Sequence, residues 1–439
     1  MIDAPISVMK IIETLEQAGF EAYAVGGCVR DSLLGRNPSD WDITTSARPE
    51  QVKALFSHTI DTGIRHGTVT VMLEHVGYEV TTYRIDGEYE DSRHPKEVIF
   101  TPLLTEDLKR RDFTINAMAW NPRAGIIDEF GGMEDLDEGI IRCVGSPEER
   151  FSEDALRMMR AVRFSAQLGY EIEPATKAAI RKLSPNLNHV SAERIQVELV
   201  KLVESMHPDY LRVAYETGIT RVVLPEFDLC METEQHNPHH CYTVGEHMLH
   251  SMLAVSSNRY LRLAMLLHDI AKPEKKKTDE QGIDHFHGHQ EASEEMAKVI
   301  LRRLKFDNET IRIVSRLIGF HDYRFPAERR SVRRAVWKVG EDLFPMLLQV
   351  KEADTMAQSL YEREEKLEWI AKVEKLYREI LKDRECLSLK DLAVTGRDLI
   401  RAGCAPGPEL GRILNKMLQD VLEHPEHNNK EYLLQSIRQ

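Results

Sequence analysis

Residues 25–47 read VGGCVRDSLLGRNPSDWDITTSA and decide how the first part of the chain is interpreted. Gly26 and Gly27 stand where a strand would turn into a helix. Glycine at such a turn lets backbone N–H groups approach a phosphate at the positive end of the helix. Arg30 follows in the first helical turn, where its guanidinium would contact a triphosphate.

Two carboxylates follow the glycines in the same stretch. Asp40 and Asp42 are separated by one residue, so on an extended segment they point to the same side. Two Mg²⁺ ions bound there would clamp a triphosphate and an attacking hydroxyl group. The alternative is a glycine turn followed by a solvated Asp-x-Asp, and the glycines upstream and the hairpin downstream favour the metal site.

The sequence around this stretch alternates between helix and strand patterns up to about residue 140. A helix is predicted at Ile6–Ala18 and a strand at Glu21–Val25. Residues 67–84 alternate and contain β-branched side chains, which predicts a hairpin with its turn near Glu74–Gly77, and 96–100 (KEVIF) form another short strand. This part of the chain is therefore predicted to be α/β or α+β.

Beyond about residue 145 the strand patterns largely disappear. The apolar spacing predicts helices across four segments: 151–169, 191–205, 244–257 and 262–272. The sequence therefore predicts an α+β protein, with a mixed head followed by helical domains.

Length, composition and cysteine content together predict a multidomain protein with reduced thiols and no membrane span. A chain of 439 residues exceeds one core and indicates roughly two to four domains. The N-terminal helix lacks the basic region of a signal peptide, and the sequence has no apolar run of the roughly 18 residues that span a bilayer. The six cysteines have no C-x-x-C spacing, which is typical of reduced thiols and predicts a cytoplasmic protein without membrane contact.

The formal net charge of −14 argues against bulk electrostatic attraction to nucleic acid. Residues 324–338 (RFPAERRSVRRAVWK) nevertheless concentrate five arginines and one lysine. We expect acidic enzymes to bind RNA through such local patches, so the net charge alone does not exclude an RNA substrate.

The order GG-x-VRD-x-LLGR-x-P-x-D-x-D in residues 26–42 resembles the active-site motif of the class II tRNA nucleotidyltransferase and bacterial poly(A) polymerase family. The resemblance implies a polymerase-β-like nucleotidyltransferase head that binds Mg²⁺. Residues 110–119 (RRDFTINAMA) resemble the family's ribose-selecting motif, which implies that Arg111 and Asp112 lie near the nucleotide sugar. Residues 128–136 resemble the segment that joins head and neck.

Residues 153–164 (EDALRMMRAVRF) resemble the family's amino-acid template, and their chemistry fits that role. Asp154 and Arg157 are neighbours at i, i+3 if this segment is one helix. A carboxylate only accepts hydrogen bonds and a guanidinium only donates them. Cytosine and adenine present an amino donor beside a ring-nitrogen acceptor and fit the pair, whereas uracil and guanine present the opposite order.

Arg160 and Arg163 continue the predicted helix and are expected to reach the triphosphate. The alternative for the whole segment is a solvent-exposed charged helix.

Residues 84–95 (RIDGEYEDSRHP) bear on which nucleotides are added. They resemble the flexible loop that lets full CCA-adding enzymes switch from C to A, so their presence favours A addition. Glu79, on the preceding strand, is a third carboxylate that would act as a base or as a metal ligand.

A second constellation of histidines and aspartates occurs in the helical part. Its order resembles the HD-domain metal-dependent phosphohydrolases, in which such side chains hold one or two divalent ions and activate water. The metal is not identified by the sequence, and retention of hydrolysis stays open. The candidate ligands are His247, His268, Asp269, His289, His321 and Asp354.

These features together resemble class II CCA-adding tRNA nucleotidyltransferases with an integral HD domain. The resemblance implies a substrate tRNA acceptor end, extended with C, C and A from CTP and ATP. The expected domains are a nucleotidyltransferase head (1–140), a helical neck (141–225), an HD body (226–372) and an RNA-binding helical tail (373–439).

Two alternatives remain. One is an A-adding or poly(A)-adding relative, and the other is an HD phosphohydrolase whose head is a vestigial RNA-binding module. The sequence leaves the oligomeric state open.

Overall fold

The computed structural model describes residues 2–86 and 98–437. The chain forms two compact units, Met1–Pro225 and Glu226–Gln439. Most of the segment 84–95, predicted to be a flexible loop, lies outside the described residues.

The first unit is built on a seven-stranded mixed sheet with the strand order β3-β4-β5-β2-β1-β8-β9. Neighbouring strands are antiparallel except β2 and β5, which are parallel. Strands β6 and β7 form a separate antiparallel pair, and β10 and β11 a parallel pair. The described strands are β1 Ala22–Val25, β2 Ile43–Thr45, β3 Thr59–Gly63, β4 Thr68–Leu73, β5 Val76–Thr82, β6 Arg84–Asp86, β7 Val98–Phe100, β8 Met118–Asn121, β9 Gly125–Asp128, β10 Ile140–Ile141 and β11 Glu171–Ile172.

Helices surround this sheet and make up the rest of the unit. They are α1 Ile6–Gln17, α2 Gly27–Leu33, α3 Pro49–Leu55, α4 Leu104–Lys109, α5 Gly132–Glu138, α6 Pro147–Glu153, α7 Leu156–Leu168, α8 Pro174–Leu183, α9 Ala192–Val203, α10 Leu211–Glu216 and α11 Ile219–Val223.

The elements predicted at the N-terminus are confirmed. Val8, Ile11, Ile12 and Leu15 are fully buried on one face of α1, which contacts β1. Their helical spacing places all four side chains on the same stripe.

The predicted hairpin is also confirmed. Strands β4 and β5 pair from Thr68↔Thr81 to Leu73↔Val76, and the two residues between them, Glu74 and His75, have φ values of 51° and 66°. A two-residue turn with positive φ at both positions matches the twist of the flanking strands.

The helix predicted across residues 151–169 is wrong at one position. α6 ends at Glu153, and Asp154 has φ −141° and ψ 103° before α7 begins at Leu156. The Asp154 carboxylate accepts a hydrogen bond from the Leu156 N–H, at 3.1 Å. Aspartate side chains compete with the helix ladder in this way, so the chain leaves the helix and starts a new one.

The second unit is helical apart from one short strand pair among its described residues, which confirms the α+β class with a helical body. Its elements are α12 Pro225–Glu232, α13 Val244–Leu253, α14 Arg259–Leu267, α15 Lys272–Lys275, β12 Lys277–Thr278, β13 Asp284–His285, α16 His289–Arg303, α17 Asn308–Phe320, α18 Arg329–Val339, α19 Phe344–Met356, α20 Arg363–Lys382, α21 Gly396–Arg401, α22 Pro408–Glu423 and α23 Lys430–Gln435. Across the described part of the chain, no helix combines the length and apolarity needed to cross a bilayer.

The division between body and tail falls later than the sequence predicted. Position 372/373 lies inside α20, a continuous helix that ends at Lys382. A separate apolar cluster then runs from Cys386 to Leu433 and includes Leu399, Leu418 and Val421. We therefore place the beginning of the tail after α20.

The arginine-rich segment 324–338 does not form a free basic patch. Four of its arginines lie on α18 and are paired with carboxylates at the end of α20, just after it, and at the end of α22. These ion pairs are Arg329 with Glu379, Asp383 and Glu385, Arg333 with Glu385, and both Arg330 and Arg334 with Glu423.

Candidate active site and candidate metal centre

The turn between β1 and α2 brings a glycine against an arginine. Gly26 has φ 82°, and a Cβ atom there would lie 2.9 Å from Nη1 of Arg111. Glycine therefore provides both the left-handed backbone and the space for the guanidinium. The Nε of Arg111 is buried and has no hydrogen-bond partner among the described residues.

The two aspartates of the opening stretch lie on the same side of the chain. Asp40 and Asp42 are exposed, whereas Trp41 between them is buried, which is the alternation of an extended segment. β2 begins directly after Asp42.

Glu79 joins these aspartates from the neighbouring strand. The parallel register pairs Ile43 with Val80, and continuing it by one residue brings Asp42 beside Glu79. Asp42 is exposed, but protein atoms around its carboxyl group partly desolvate it and raise its pKa. The charge of Arg111 lowers this pKa, and the charge of Asp40 raises it. The pKa of Glu79 is likewise raised, by partial desolvation and by the negative charges of Asp42 and Asp40. The three carboxylates therefore repel one another, and a divalent cation would relieve that repulsion.

A hydrogen-bonded chain links α2 to α7. Arg30 Nη1 donates to Asn116 Oδ1 at 2.7 Å, and Asn116 Nδ2 donates to Asp112 Oδ1 at 3.2 Å. Asp112 Oδ2 accepts from Arg160 Nε at 2.7 Å. Burial alone would raise the pKa of Asp112, but the charges of Arg160 and Arg157 outweigh it and hold the pKa below its usual range. Three residues predicted for nucleotide binding, Arg30, Asp112 and Arg160, are thus linked.

Arg163 has internal partners. Its Nε donates to Glu198 Oε2 on α9 at 2.8 Å, and its guanidinium lies 3.5 Å from the Phe164 ring centre. Arg30 and Arg160 lie 5.0 and 5.3 Å from the same ring. The side chain of Arg163 is 7% exposed. These contacts give no support to its expected role at the triphosphate.

Asp154 and Arg157 each have another partner in this structure. Asp154 accepts from Arg194 on α9, with Nη2 at 2.7 Å and Nη1 at 3.3 Å. Arg157 Nη1 donates to Glu153 at 2.6 Å, and its Nη2 donates to the Arg110 carbonyl at 3.0 Å. The carboxylate and the guanidinium are therefore held by separate sets of residues.

Four histidines of the second unit are oriented by the backbone. The Nδ1 atoms of His247, His268, His289 and His321 lie 2.7–3.3 Å from the carbonyl oxygens of residues 357, 265, 286 and 318, respectively. An Nδ1–H that donates to a carbonyl leaves Nε2 with its lone pair, which is the metal-binding form of imidazole.

These Nε2 atoms and two carboxylates converge in two groups. His247 and His268 have their Nε2 atoms 3.1 Å apart, and Asp354 lies 2.9 Å from His247. His289 and His321 have their Nε2 atoms 3.1 Å apart, and Asp269 lies 3.3 Å from His289. Within each group of three, the ligand atoms lie within 4.8 Å of one another.

The donor set fits divalent cations. Both oxygens of Asp269 are buried and accept no well-formed hydrogen bond from any described residue. Oδ2 lies 3.2 Å from His268 Nε2 and Oδ1 lies 3.3 Å from His289 Nε2, so this carboxylate faces both groups. Lys272 Nζ forms an ion pair with Oδ2 at 2.7 Å. Imidazole nitrogens with carboxylates suit several transition-metal ions, so the set is a candidate site for one or two ions and does not identify the metal.

A cavity of about 300 Å³ opens beside this centre. Asp354 and His321 form part of its wall. Its other lining residues include Arg324, Lys351, Lys366 and Trp369.

Sequence reasoning missed several residues that hold the predicted ones in place. Asn116 lies within the RRDFTINAMA motif, and Lys272 follows Asp269 at i+3, so local spacing contained a signal for both. Arg194 pairs with a residue 40 positions away, and no local pattern in the sequence indicates that contact.

Family models and relatives agree on the class of protein. Residues 22–142 match the poly(A) polymerase head domain, 169–231 match the probable RNA and SrmB-binding site of polymerase A, and 274–437 match the putative tRNA nucleotidyltransferase domain 2. A CCA-adding enzyme of Levilactobacillus brevis is 36% identical over 428 residues, which cover 97% of this chain and 96% of the relative. This chain belongs to the CCA-adding enzyme family.

Two further CCA-adding enzymes support the membership. One, from Lactobacillus helveticus, is 38% identical over 98% of this chain and 96% of its own length. The crystal structure of the Bacillus stearothermophilus CCA-adding enzyme in complex with CTP is 30% identical and superposes with a TM-score of 0.72, covering 99% of this chain and 98% of the other. The family membership therefore extends over both units of the chain.

Proposed function

We propose that this chain adds C, C and A to the 3′ end of tRNA from CTP and ATP without a nucleic-acid template. The observation that carries the proposal is the grouping of Asp40, Asp42 and Glu79 by chain alternation and strand register, in a chain related over its full length to CCA-adding enzymes. Each addition forms a bond from the terminal tRNA hydroxyl oxygen to the α-phosphorus and releases pyrophosphate.

The carboxylates would hold Mg²⁺ beside two central strands of the sheet, β2 and β5. Asp40 and Asp42 face the same side, and Glu79 is placed to be a third ligand or to accept the proton of the attacking hydroxyl. Bound Mg²⁺ supplies charge stabilisation for the triphosphate and for the attacking oxygen.

Arginines and the aspartate at position 112 would bind the rest of the nucleotide. Arg111, whose Nη1 lies beside the Gly26 turn, is proposed to lie near the nucleotide sugar. Asp112, fixed by Arg160 and Asn116, is proposed to lie near the sugar. Arg30 is proposed to contact the triphosphate.

Asp154 and Arg157 are proposed to select the base. An acceptor-only carboxylate and a donor-only guanidinium fit the amino group and ring nitrogen of cytosine or adenine. A mismatched base leaves buried polar groups unpaired, which is the stronger form of discrimination.

The test is extension of tRNA lacking its 3′ CCA with each labelled nucleotide alone and in pairs. CTP alone should add two residues, CTP with ATP should add three, and UTP or GTP should add none. Extension with ATP alone by one or many residues would instead identify an A-adding or poly(A)-adding relative.

We propose a cytoplasmic location for this protein. All six cysteines lie among the described residues and are free. Reduced thiols and a tRNA substrate support a cytoplasmic location.

We propose a second, metal-dependent phosphohydrolase activity at the histidine–aspartate centre, acting on phosphate esters such as a 2′,3′-cyclic or terminal phosphate at an RNA 3′ end. Two groups of three candidate ligands favour it, and Asp269 of one group also lies beside His268 of the other. The adjoining cavity offers Arg324, Lys351 and Lys366 to a phosphate and Trp369 to an attached base. Bound metal supplies an activated water for ester hydrolysis.

The double variant His268→Ala with Asp269→Ala separates the two sites. It should lose metal-stimulated hydrolysis of a model phosphodiester and bound metal measured by elemental analysis, while CCA addition persists. His287→Ala, an exposed histidine of the same unit, is the matched control. Absence of hydrolysis in the wild type with Mn²⁺, Ni²⁺ or Mg²⁺ would refute the second activity.

A further inference from the structure

The Asp154 carboxylate is held in one orientation by contacts from two directions. Oδ1 accepts from the Leu156 N–H at 3.1 Å and from Arg194 Nη1 at 3.3 Å. Oδ2 accepts from Arg194 Nη2 at 2.7 Å. The Arg194 guanidinium therefore spans both oxygens as a fork, and such two-point pairs fix geometry as well as adding energy.

These contacts use most of the hydrogen-bonding capacity of Asp154. An ionised carboxylate has about four acceptor positions, and Leu156 and Arg194 fill three of them. The remaining position is on Oδ2. Cytosine and adenine each bring one amino group to the pair, so one acceptor position is what a correct base requires.

We propose that Arg194 is a positioning residue for base selection, because it fixes the Asp154 carboxylate so that a single acceptor position faces the incoming nucleotide. This inference rests on the proposed nucleotide addition. Uracil and guanine bring a carbonyl oxygen to that position, and a carboxylate that is unable to turn away leaves the oxygen against another acceptor.

The donor half of the pair is held independently. Arg157 donates to Glu153, to the Arg150 carbonyl at 3.3 Å and to the Arg110 carbonyl at 3.0 Å. Replacing Arg194 should therefore release the acceptor and leave the donor in place. Loss of selection should be specific to the base edge, and triphosphate binding should be nearly unchanged.

We attribute the positioning to the two-nitrogen contact of the Arg194 guanidinium with Asp154, and not to its positive charge alone. Lysine keeps the positive charge but presents a single nitrogen, which leaves the carboxylate free to rotate. The pair lies at the margin of the site, with 25% of the Arg194 side chain and 17% of the Asp154 side chain exposed. Substitution at position 194 should therefore preserve the fold.

The experiment compares Arg194→Gln and Arg194→Lys with the wild type. Lys201→Gln, at an exposed lysine on the same helix, is the control. Single-turnover kcat/KM is measured for CTP and UTP on tRNA lacking CCA, and for ATP and GTP on tRNA ending in CC. We expect Arg194→Gln to lower the CTP:UTP ratio by about 10- to 100-fold, Arg194→Lys to fall between it and the wild type, and Lys201→Gln to match the wild type.

Several results would overturn the proposal. They are an unchanged CTP:UTP ratio in Arg194→Gln, an equal loss of rate with all four nucleotides, or full restoration by lysine. If thermal melting shows that Arg194→Gln is unfolded, Arg194→Lys decides by the same ratio, and a wild-type ratio there refutes the fork.

A double variant locates the effect. Arg194→Gln should cause no further loss of selectivity in an Asp154→Ala background, whereas additive losses would show that Arg194 acts elsewhere. Failure of the wild type to add C and A would overturn the proposed function itself. Wild-type addition with undiminished selectivity in Arg194→Gln would overturn only this inference.

Discussion

Replacing Arg163 with methionine should destabilise the protein without weakening nucleotide binding. Its Nε lies 2.8 Å from Glu198 Oε2, its Nη1 lies 3.0 Å from Gln167 Oε1, and it stacks on Phe164. The side chains of Arg163 and Glu198 are 7% and 6% exposed. This is a buried ion pair between α7 and α9, in contrast to the triphosphate contact expected from the sequence.

The size of the effect follows from the partner that is left behind. Without Arg163, Glu198 retains Arg160, whose Nη1 lies 4.0 Å from Oε1. Breaking a buried pair by removing one partner costs about 3–5 kcal/mol. At about 2–4 °C per kcal/mol for a unit of this size, the melting temperature should fall by roughly 6–20 °C.

Replacing both partners should restore most of the stability. Burial lowers the pKa of Arg163 even though Glu198 lies against it, so removing the guanidinium from water outweighs the attraction between the charges. Apolar residues of similar volume at both positions avoid that cost. Arg163→Met with Glu198→Leu should therefore melt closer to the wild type than either single variant.

The assay is thermal unfolding followed by circular dichroism, together with the KM for CTP. Arg123→Met is the control, because Arg123 is 75% exposed in the same unit. A melting temperature within about 2 °C of the wild type, together with a CTP KM raised more than about tenfold, would refute the structural role and support the triphosphate contact.

Three further predictions address the head. Asp42→Asn should lower nucleotide addition by about 10³-fold or more with circular dichroism unchanged, and a rate within about tenfold of the wild type would contradict the metal assignment. Gly26→Ala should raise the CTP KM, because the new Cβ would lie 2.9 Å from Arg111. Gly125→Ala is the control: its φ is similar, 74°, but no atom lies within 4 Å of the new Cβ, so only the melting temperature should fall. Shortening the segment 84–95 should preserve CC addition and stop the final A, so normal completion of CCA would refute its role in the switch.

Local patterns predicted the elements whose structure depends on neighbouring residues. The apolar spacing of α1 and the alternation of β4 and β5 gave both elements to within a few residues, because period and turn chemistry are encoded within each segment. The six histidines and aspartates predicted as candidate ligands from their order along the helices do lie close together. The sequence did not predict that these residues form two groups of three, because that division depends on how the helices pack.

Long-range pairing explains what the sequence did not predict. Asp154 appeared to continue a helix, but its backbone is extended and its carboxylate contacts Arg194, which lies 40 residues later. The buried partner of Arg163, Glu198, is 35 residues away, and no local pattern indicates that contact. In both cases the charge pattern was visible, but the identity of the partner was not.

The arginines of α18 have a consequence for how binding responds to ionic strength. Arg329, Arg330, Arg333 and Arg334 are matched by four carboxylates within the same unit. RNA affinity falls with added salt in proportion to the number of phosphates neutralised, because each contact releases condensed counterions. An arginine of α18 must first break its ion pair with a carboxylate of the protein before it binds an RNA phosphate, so it exchanges one anion for another. This helix should therefore add little to the slope of log RNA affinity against log salt concentration. A protein of net charge −14 with paired arginines would recognise its tRNA by the shape of the acceptor end. Other RNA would then compete only weakly with tRNA for binding.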